Sequence, residues 1–207
     1  MITADDITVV SPYGAGGQLG KSLNRHIEAA PTEWVLTHDF DVLLKLHPNP
    51  LEVCAAAINA RPDAGLFFPW VTALGQSTTT KLEDLIPPDA PKPLDSIKAH
   101  LDCAREVWNR YGWSVTEIPN GQIGGAVHLT SKRAWVAAGG YPGIGHFGED
   151  HDYCKAVTAA GFAICRIDGW YVYHMGSIKG HREPSWVDGG QSAYELYQAK
   201  KKQRRKQ

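Results

Sequence analysis

Short apolar runs alternate with stretches of helical period along this chain, and that alternation constrains its fold more than any other feature. Ile7-Thr8-Val9-Val10 is a β-branched run stopped by Ser11-Pro12, which reads as a buried first strand. A Gly-rich turn (Gly14, Gly16, Gly17) leads into a helix from Leu19 to Ala30, with Leu19, Leu23 and Ile27 on one face and Pro31 marking its end. Trp34-Val35-Leu36 is a second strand, and it runs into His38-Asp39-Phe40-Asp41. A helix over 50–60 stops before Pro62, and Ala64 to Val71 is a third strand. Leu94 to Tyr111 has a helical stripe of Ile97, Leu101, Ala104 and Trp108. Val127-His128-Leu129 is a strand that enters Thr130-Ser131, a helix N-cap signal, and the helix it starts stops at Gly139-Gly140. Glu149 to Ala160 is a further helix, acidic in its first turn and closed by Gly161. Strands over 162–167 and 170–173 complete the pattern, which predicts one α/β domain built on a mostly parallel sheet.

The length of 207 residues suits a single domain with a real core, and a composition of 43% hydrophobic and 21% charged residues excludes a disordered chain. No apolar run approaches the ~20 residues that span a bilayer. The first ten residues, MITADDITVV, are acidic where a secretory signal is basic, so a cytoplasmic location is expected. Cys54, Cys103, Cys154 and Cys165 form no Cys-x-x-Cys pair, which predicts reduced, mostly buried thiols. The net charge of −1 hides an asymmetry, because six of the last eight residues are Lys or Arg. Without them 15 basic residues face 22 acidic ones, so an acidic body carries a basic tail at 191–207. Lys200 to Lys206 can contact a polyanion, or they form an ordinary solvated terminus. Residues 75–95, with Pro87, Pro88, Pro91 and Pro93, read as a long irregular connection.

Three motifs compete for the chemistry. Ala15-Gly-Gly-Gln-Leu-Gly20-Lys21-Ser22 meets the loose phosphate-loop pattern between a strand and a helix, with Ala in place of the first Gly. Backbone N–H groups of such a loop cradle phosphates, Lys neutralises them and Ser holds magnesium. The chain offers no good second half for that site, since the next acidic strand end, Asp39, follows only 17 residues after Ser22. The spacing Gly14-x-Gly16-x-x-x-Gly20 is dinucleotide-like, yet no Tyr-x-x-x-Lys pair serves a reductase. The third motif is Asp39-x-Asp41 at the end of an apolar strand. Two carboxylates so placed suit a hard divalent cation bridging a diphosphate. Alone, Asp-x-Asp is also a common solvated turn.

The later segment gives that motif its context. Gly124-Gly125 precedes the strand that enters Ser131, and Ala138-Gly139-Gly140-Tyr141 follows the next helix. Phe147-Gly148-Glu149-Asp150 opens another helix, and Tyr171-Val-Tyr-His174 closes the set. In that order, from about residue 7 to 178, these elements resemble the GT-A glycosyltransferases, particularly the family 2-type enzymes. Leu19-Gly20-Lys21-Ser22-Leu23-Asn24 is similar to the lead-in to their Asp-x-Asp strand. One departure stands out: a single strand-helix unit precedes Asp39, where the family has two. The nucleotide half is therefore abbreviated, and uridine diphosphate is a default for the base.

The resemblance implies a GT-A-like, Rossmann-like domain over 1–190 and a metal-dependent transfer of sugar from a nucleotide-sugar donor. Asp39, Asp41 and His174 would hold manganese or magnesium, with Asp39 also meeting the donor. Pro12, Tyr13, Asn24, Gly124 and Gly125 would line the donor site. Asp150 would be the general base toward the acceptor hydroxyl, with Glu149 beside it, giving inversion. Both acids also suit simple capping of a helix N-terminus. His38, His146, His151 and His181 have no ligand spacing of their own, and Trp70, Trp170 and Trp186 fit core packing better than sugar stacking. The 75–95 segment is a candidate acceptor-side loop. The acceptor would be a glycan or a hydroxylated DNA base of the kind modified in some phages. The alternatives are a phosphate-loop NTPase or kinase and a sugar-nucleotide-binding domain without catalysis.

Overall fold

The computed structural model describes residues 1–12, 19–71, 97–119, 125–142 and 149–174. A 3₁₀ turn, Ala4–Asp6, leads into strand β1 (Ile7–Val10), helix α1 (Leu19–Ala29), β2 (Trp34–His38) and β3 (Val42–Leu43). Then come α2 (Pro50–Ala60), β4 (Ala64–Val71), α3 (Ile97–Tyr111), β5 (Val115–Glu117) and β6 (Val127–Ser131). Helices α4 (Lys132–Ala137) and α5 (Glu149–Ala159) precede the long strand β7 (Ala163–His174).

Among the described residues, seven strands form one sheet in the order β1-β2-β6-β4-β7-β3, with β5 also on β7. The α/β class holds, but the sheet is mixed rather than mostly parallel. Only β1–β2 and β4–β7 pair in parallel; β6 runs antiparallel between β2 and β4, and β3 and β5 run antiparallel to β7. A segment such as Val127–Ser131, buried at every position, is a central strand, and nothing in its residues signals its direction. The first strand is also less buried than its sequence suggests. It lies at the sheet edge, and of its four residues only Ile7 is buried.

Helix α2 covers one face through Val53, Cys54, Ala57 and Ile58, which pack on Leu36, Phe67, Leu129 and Trp170. Helices α1 and α5 supply Leu23, Ile27, Tyr153 and Val157 to a second cluster with Val35, Leu66 and Phe68. Helix α3 packs along β7, where Ala104 and Val107 meet Trp70, Tyr171 and Tyr173. Half of the predicted stripe packs: Ala104 is buried and Trp108 lies against the core, but Ile97 and Leu101 are exposed. Val107 and His100 are buried in their place, His100 stacked on Tyr173 at 3.6 Å and hydrogen-bonded through Nδ1 to the Tyr171 hydroxyl at 2.8 Å. A polar residue on the packed face hides it from a count of apolar positions.

The two predicted closing strands are one. Pro69 lies inside β4 and has no N–H for the ladder, so the β4–β7 register shifts between Phe68 and Trp70 while the chain continues. Trp70 Nε1 donates to the Asp168 carbonyl at 2.8 Å across that irregularity. The Asp168 carboxylate, itself buried, accepts from Ser114 Oγ (3.0 Å), Thr116 Oγ1 (2.6 Å) and Arg166 Nε (2.7 Å), which fastens β5 to β7.

Ser131 caps α4 as expected, accepting from the Ala134 N–H at 3.0 Å. Past its end, Gly140 has φ of +78°, and a Cβ there would lie 2.8 Å from Asn24 Oδ1 and 3.2 Å from Trp135 Nε1. Asn24 Oδ1 accepts from both Tyr141 N and Trp135 Nε1, and Nδ2 donates to the Tyr141 carbonyl, each at 2.8 Å. Gly140→Ala therefore meets both a left-handed backbone and an occupied space. It is expected to cost about 2–4 kcal/mol, measured as a lowered urea midpoint with the slope unchanged.

The cysteines are free thiols, with Cys54, Cys154 and Cys165 buried and Cys103 half-buried. Burial pushes the Cys103 and Cys165 thiols up to about 11, so neither supplies thiolate at neutral pH. A thiol reagent should modify no more than Cys103 in the native chain, and all four cysteines after unfolding in guanidinium. Rapid native modification of a second thiol would contradict this burial.

Candidate metal centre

Strands β1, β2, β4 and β7 all run in one direction, so their C-terminal ends share one sheet edge. The chain leaves β2 there into Asp39-Phe40-Asp41. The Asp39 N–H donates to the Ala126 carbonyl at 2.9 Å, which extends the β2–β6 ladder by one step. Val42 N–H then returns to the Asp39 carbonyl at 3.2 Å, closing a tight turn. His38 Nδ1 lies 2.8 Å from that same carbonyl.

The two-residue strand β3 completes the arrangement. Val42 is in register with His174 and Leu43 with Tyr173, so Asp41 is delivered to the end of β7. His174 Nε2 lies 3.2 Å from Asp41 Oδ1 and 3.6 Å from Asp39 Oδ2. Donor atoms of all three residues lie within 4.8 Å of one another. The side chains are partly sheltered, at 33% exposure for Asp39, 21% for Asp41 and 18% for His174.

These separations fit a shared cation. Two ligand atoms each ~2.1 Å from one ion and at right angles to each other are ~3 Å apart. Two carboxylate oxygens and one imidazole nitrogen suit a divalent ion of hard or intermediate character, and three protein ligands leave positions of an octahedral shell for substrate oxygens. The predicted ligand set is thus brought together, by a strand that the sequence does not announce. Val42–Leu43 is too short to show any period.

Asp150 stands on the same edge. A Cβ on Gly125 would lie 3.2 Å from Asp150 Cβ and 3.4 Å from Asp150 Oδ2, and Gly125 directly precedes the Ala126 whose carbonyl holds Asp39. Asp150 Oδ1 accepts from the His151 N–H at 2.8 Å, so the capping role of this acid is present as well. Beneath it, Tyr153 of α5 stacks on Tyr141 at 3.9 Å. The Tyr153 hydroxyl is 2.6 Å from Thr130 Oγ1, and the Tyr141 hydroxyl is 2.6 Å from His128 Nδ1. Burial pushes the Tyr141 and Tyr153 hydroxyls well above the ordinary tyrosine range, so both stay protonated. These braces of the α5 N-terminus are not visible in the sequence motifs, although the Tyr141 of Ala-Gly-Gly-Tyr is one of them.

Other predicted site residues are placed as follows. Pro12 is buried two residues past β1 on the same edge. The Asn24 amide oxygen is occupied by two internal donors, so its described contacts are with the fold. Lys21 is exposed in the first turn of α1, and the Ser22 carbonyl is 2.7 Å from His26 Nδ1. Trp170 is buried in the core, and Trp70 lies under the Arg166 guanidinium at 3.8 Å. Tyr13, Gly14, Gly16, Gly17, Gly124, the Glu149 side chain, Phe147-Gly148, His146, His181, Trp186, the 75–95 segment and Lys200 to Lys206 lie outside the described residues. Among the described residues no helix is long and apolar enough to cross a membrane. No protein-family model matches the chain, and no curated protein matches its sequence.

Proposed function

We propose that this chain is a metal-dependent glycosyltransferase of the GT-A type, transferring a sugar from a nucleotide-sugar donor to an acceptor hydroxyl with inversion. The observation that carries this reading is the convergence of Asp39, Asp41 and His174 on the sheet edge where Asp150 lies against Gly125. Asp39, Asp41 and His174 would hold manganese or magnesium, which supplies positive charge to a departing nucleoside diphosphate.

The chain's own groups account for the rest. Asp150 is the proton acceptor for the acceptor hydroxyl, held in place by its contact with Gly125 and by the Tyr141–Tyr153 stack under α5. Gly125 lacks a side chain where the sheet edge meets Asp150, so the Asp150 carboxylate can lie close against the backbone there. Uridine diphosphate is the default carrier, and a glycan or a hydroxylated DNA base is the acceptor class.

A panel of nucleotide sugars tests this. The chain should release nucleoside diphosphate from at least one of them with manganese present, and should stop when the metal is chelated. Tight metal-dependent binding without release would favour a sugar-nucleotide-binding domain instead. Absence of both binding and release across the panel would overturn the proposal.

A further inference from the structure

Phe40 occupies the position between the two candidate metal-binding carboxylates, and it is turned the wrong way for an ordinary solvated turn. Water favours carboxylates outside and a phenyl ring inside. Here Phe40 is 71% exposed, while the carboxylates beside it are the more sheltered groups. Apart from Met1, no other large hydrophobic residue among those described is as exposed. A local adjustment cannot tuck the ring in. The turn is closed by the Val42 N–H on the Asp39 carbonyl, fixed at its start by the Asp39 N–H on Ala126, and fixed at its end by the pairing of Val42 with His174. Turning Phe40 inward would pull Asp39 and Asp41 away from His174.

We propose that the Phe40 ring is a platform for the transferred sugar of the donor. This rests on the glycosyltransferase reading of the adjacent metal centre and adds a substrate contact to it. A pyranose has an apolar C–H face and a rim of hydroxyls, and an exposed aromatic ring is the side chain that complements that face. A diphosphate held by Asp39, Asp41 and His174 brings its attached sugar to the neighbourhood of the residue between them. The ring and the carboxylates share one rigid turn, so the platform is positioned by the same contacts that position the cation.

The test uses the full chain and its Phe40→Ala, Phe40→Leu and Phe40→Trp variants. The probes are manganese alone, the nucleotide sugar cleaved fastest in the panel above, and the matching nucleoside diphosphate. Phe40→Ala should leave the urea midpoint and the manganese affinity unchanged. It should weaken the nucleotide sugar about five- to tenfold while leaving the nucleoside diphosphate within about twofold. Phe40→Leu should fall between, and Phe40→Trp should retain binding. Equal losses for sugar-bearing and sugar-free nucleotide would put the ring on the nucleoside and overturn the assignment. Unchanged sugar binding would overturn it too, and so would a marked fall in urea midpoint, which would mean the ring packs under its own chain. If the unaltered chain binds no nucleotide sugar with manganese, the glycosyltransferase reading itself fails and the platform falls with it. That result is separate from a loss-free Phe40→Ala in a chain that does bind.

Discussion

Asp41→Ala is expected to abolish metal-dependent turnover. Its Oδ1 is the carboxylate oxygen nearest His174 Nε2, at 3.2 Å, so its removal leaves one acid and one imidazole for the cation. Changing an outer partner of a metal ligand already costs 10–100-fold in affinity, so loss of a ligand should exceed about 100-fold. On the glycosyltransferase reading, turnover at fixed manganese should fall on the order of 10²–10³-fold, because the charge that the cation would offer to the leaving diphosphate is lost. Calorimetric titration with manganese, followed by nucleotide sugar, reads both effects. Lys21→Ala is the contrasting variant. Lys21 is exposed in the first turn of α1, and its replacement should change turnover by no more than a few-fold. The reverse pattern, with Lys21→Ala losing nucleotide and Asp41→Ala keeping it, would move the chemistry to the phosphate loop.

Asp150→Asn should produce the second large loss and a different signature. The amide keeps the size of the acid and can still accept from the His151 N–H, so the start of α5 should be retained. On the proposed reading, what it loses is the capacity to take the acceptor's proton. Turnover should fall on the order of 10²-fold or more, while manganese and donor affinities stay near their original values. Glu149→Gln should cost less. Full turnover by the Asp150→Asn chain would reduce this carboxylate to a helix cap.

The contrast between these two sites shows how much was legible beforehand. Asp39, Asp41, His174 and Asp150 could each be named through the resemblance of the ordered motifs, while apolar runs and glycine punctuation only placed them at strand ends and a helix start. Their convergence was implied by that resemblance alone. The element that produces it, Val42–Leu43 paired with the end of β7, was hidden, since two residues carry no pattern. Strand direction was hidden for a similar reason, since Val127–Ser131 is buried throughout and reads the same either way. Pro69 does not interrupt the strand read over 64–71, and β4 accommodates it by a register shift. β7, by contrast, runs unbroken where two strands were expected. Asn24 resembled a donor-site residue, and what its neighbours reveal is a clamp on the Gly140–Tyr141 turn.

The final strand has a consequence for how the chain matures. β7 lies between β4 on one side and β3 and β5 on the other, and its last residue is a candidate ligand. During synthesis, Asp39 and Asp41 are made long before His174, and their partner exists only once the last described strand has threaded into the sheet. Such distant pairings form slowly compared with local ones. The candidate cation site therefore matures late, as a marker of completed assembly rather than a seed for it. Manganese should slow unfolding of the finished chain and raise its stability by mass action, with little effect on the earliest phase of refolding.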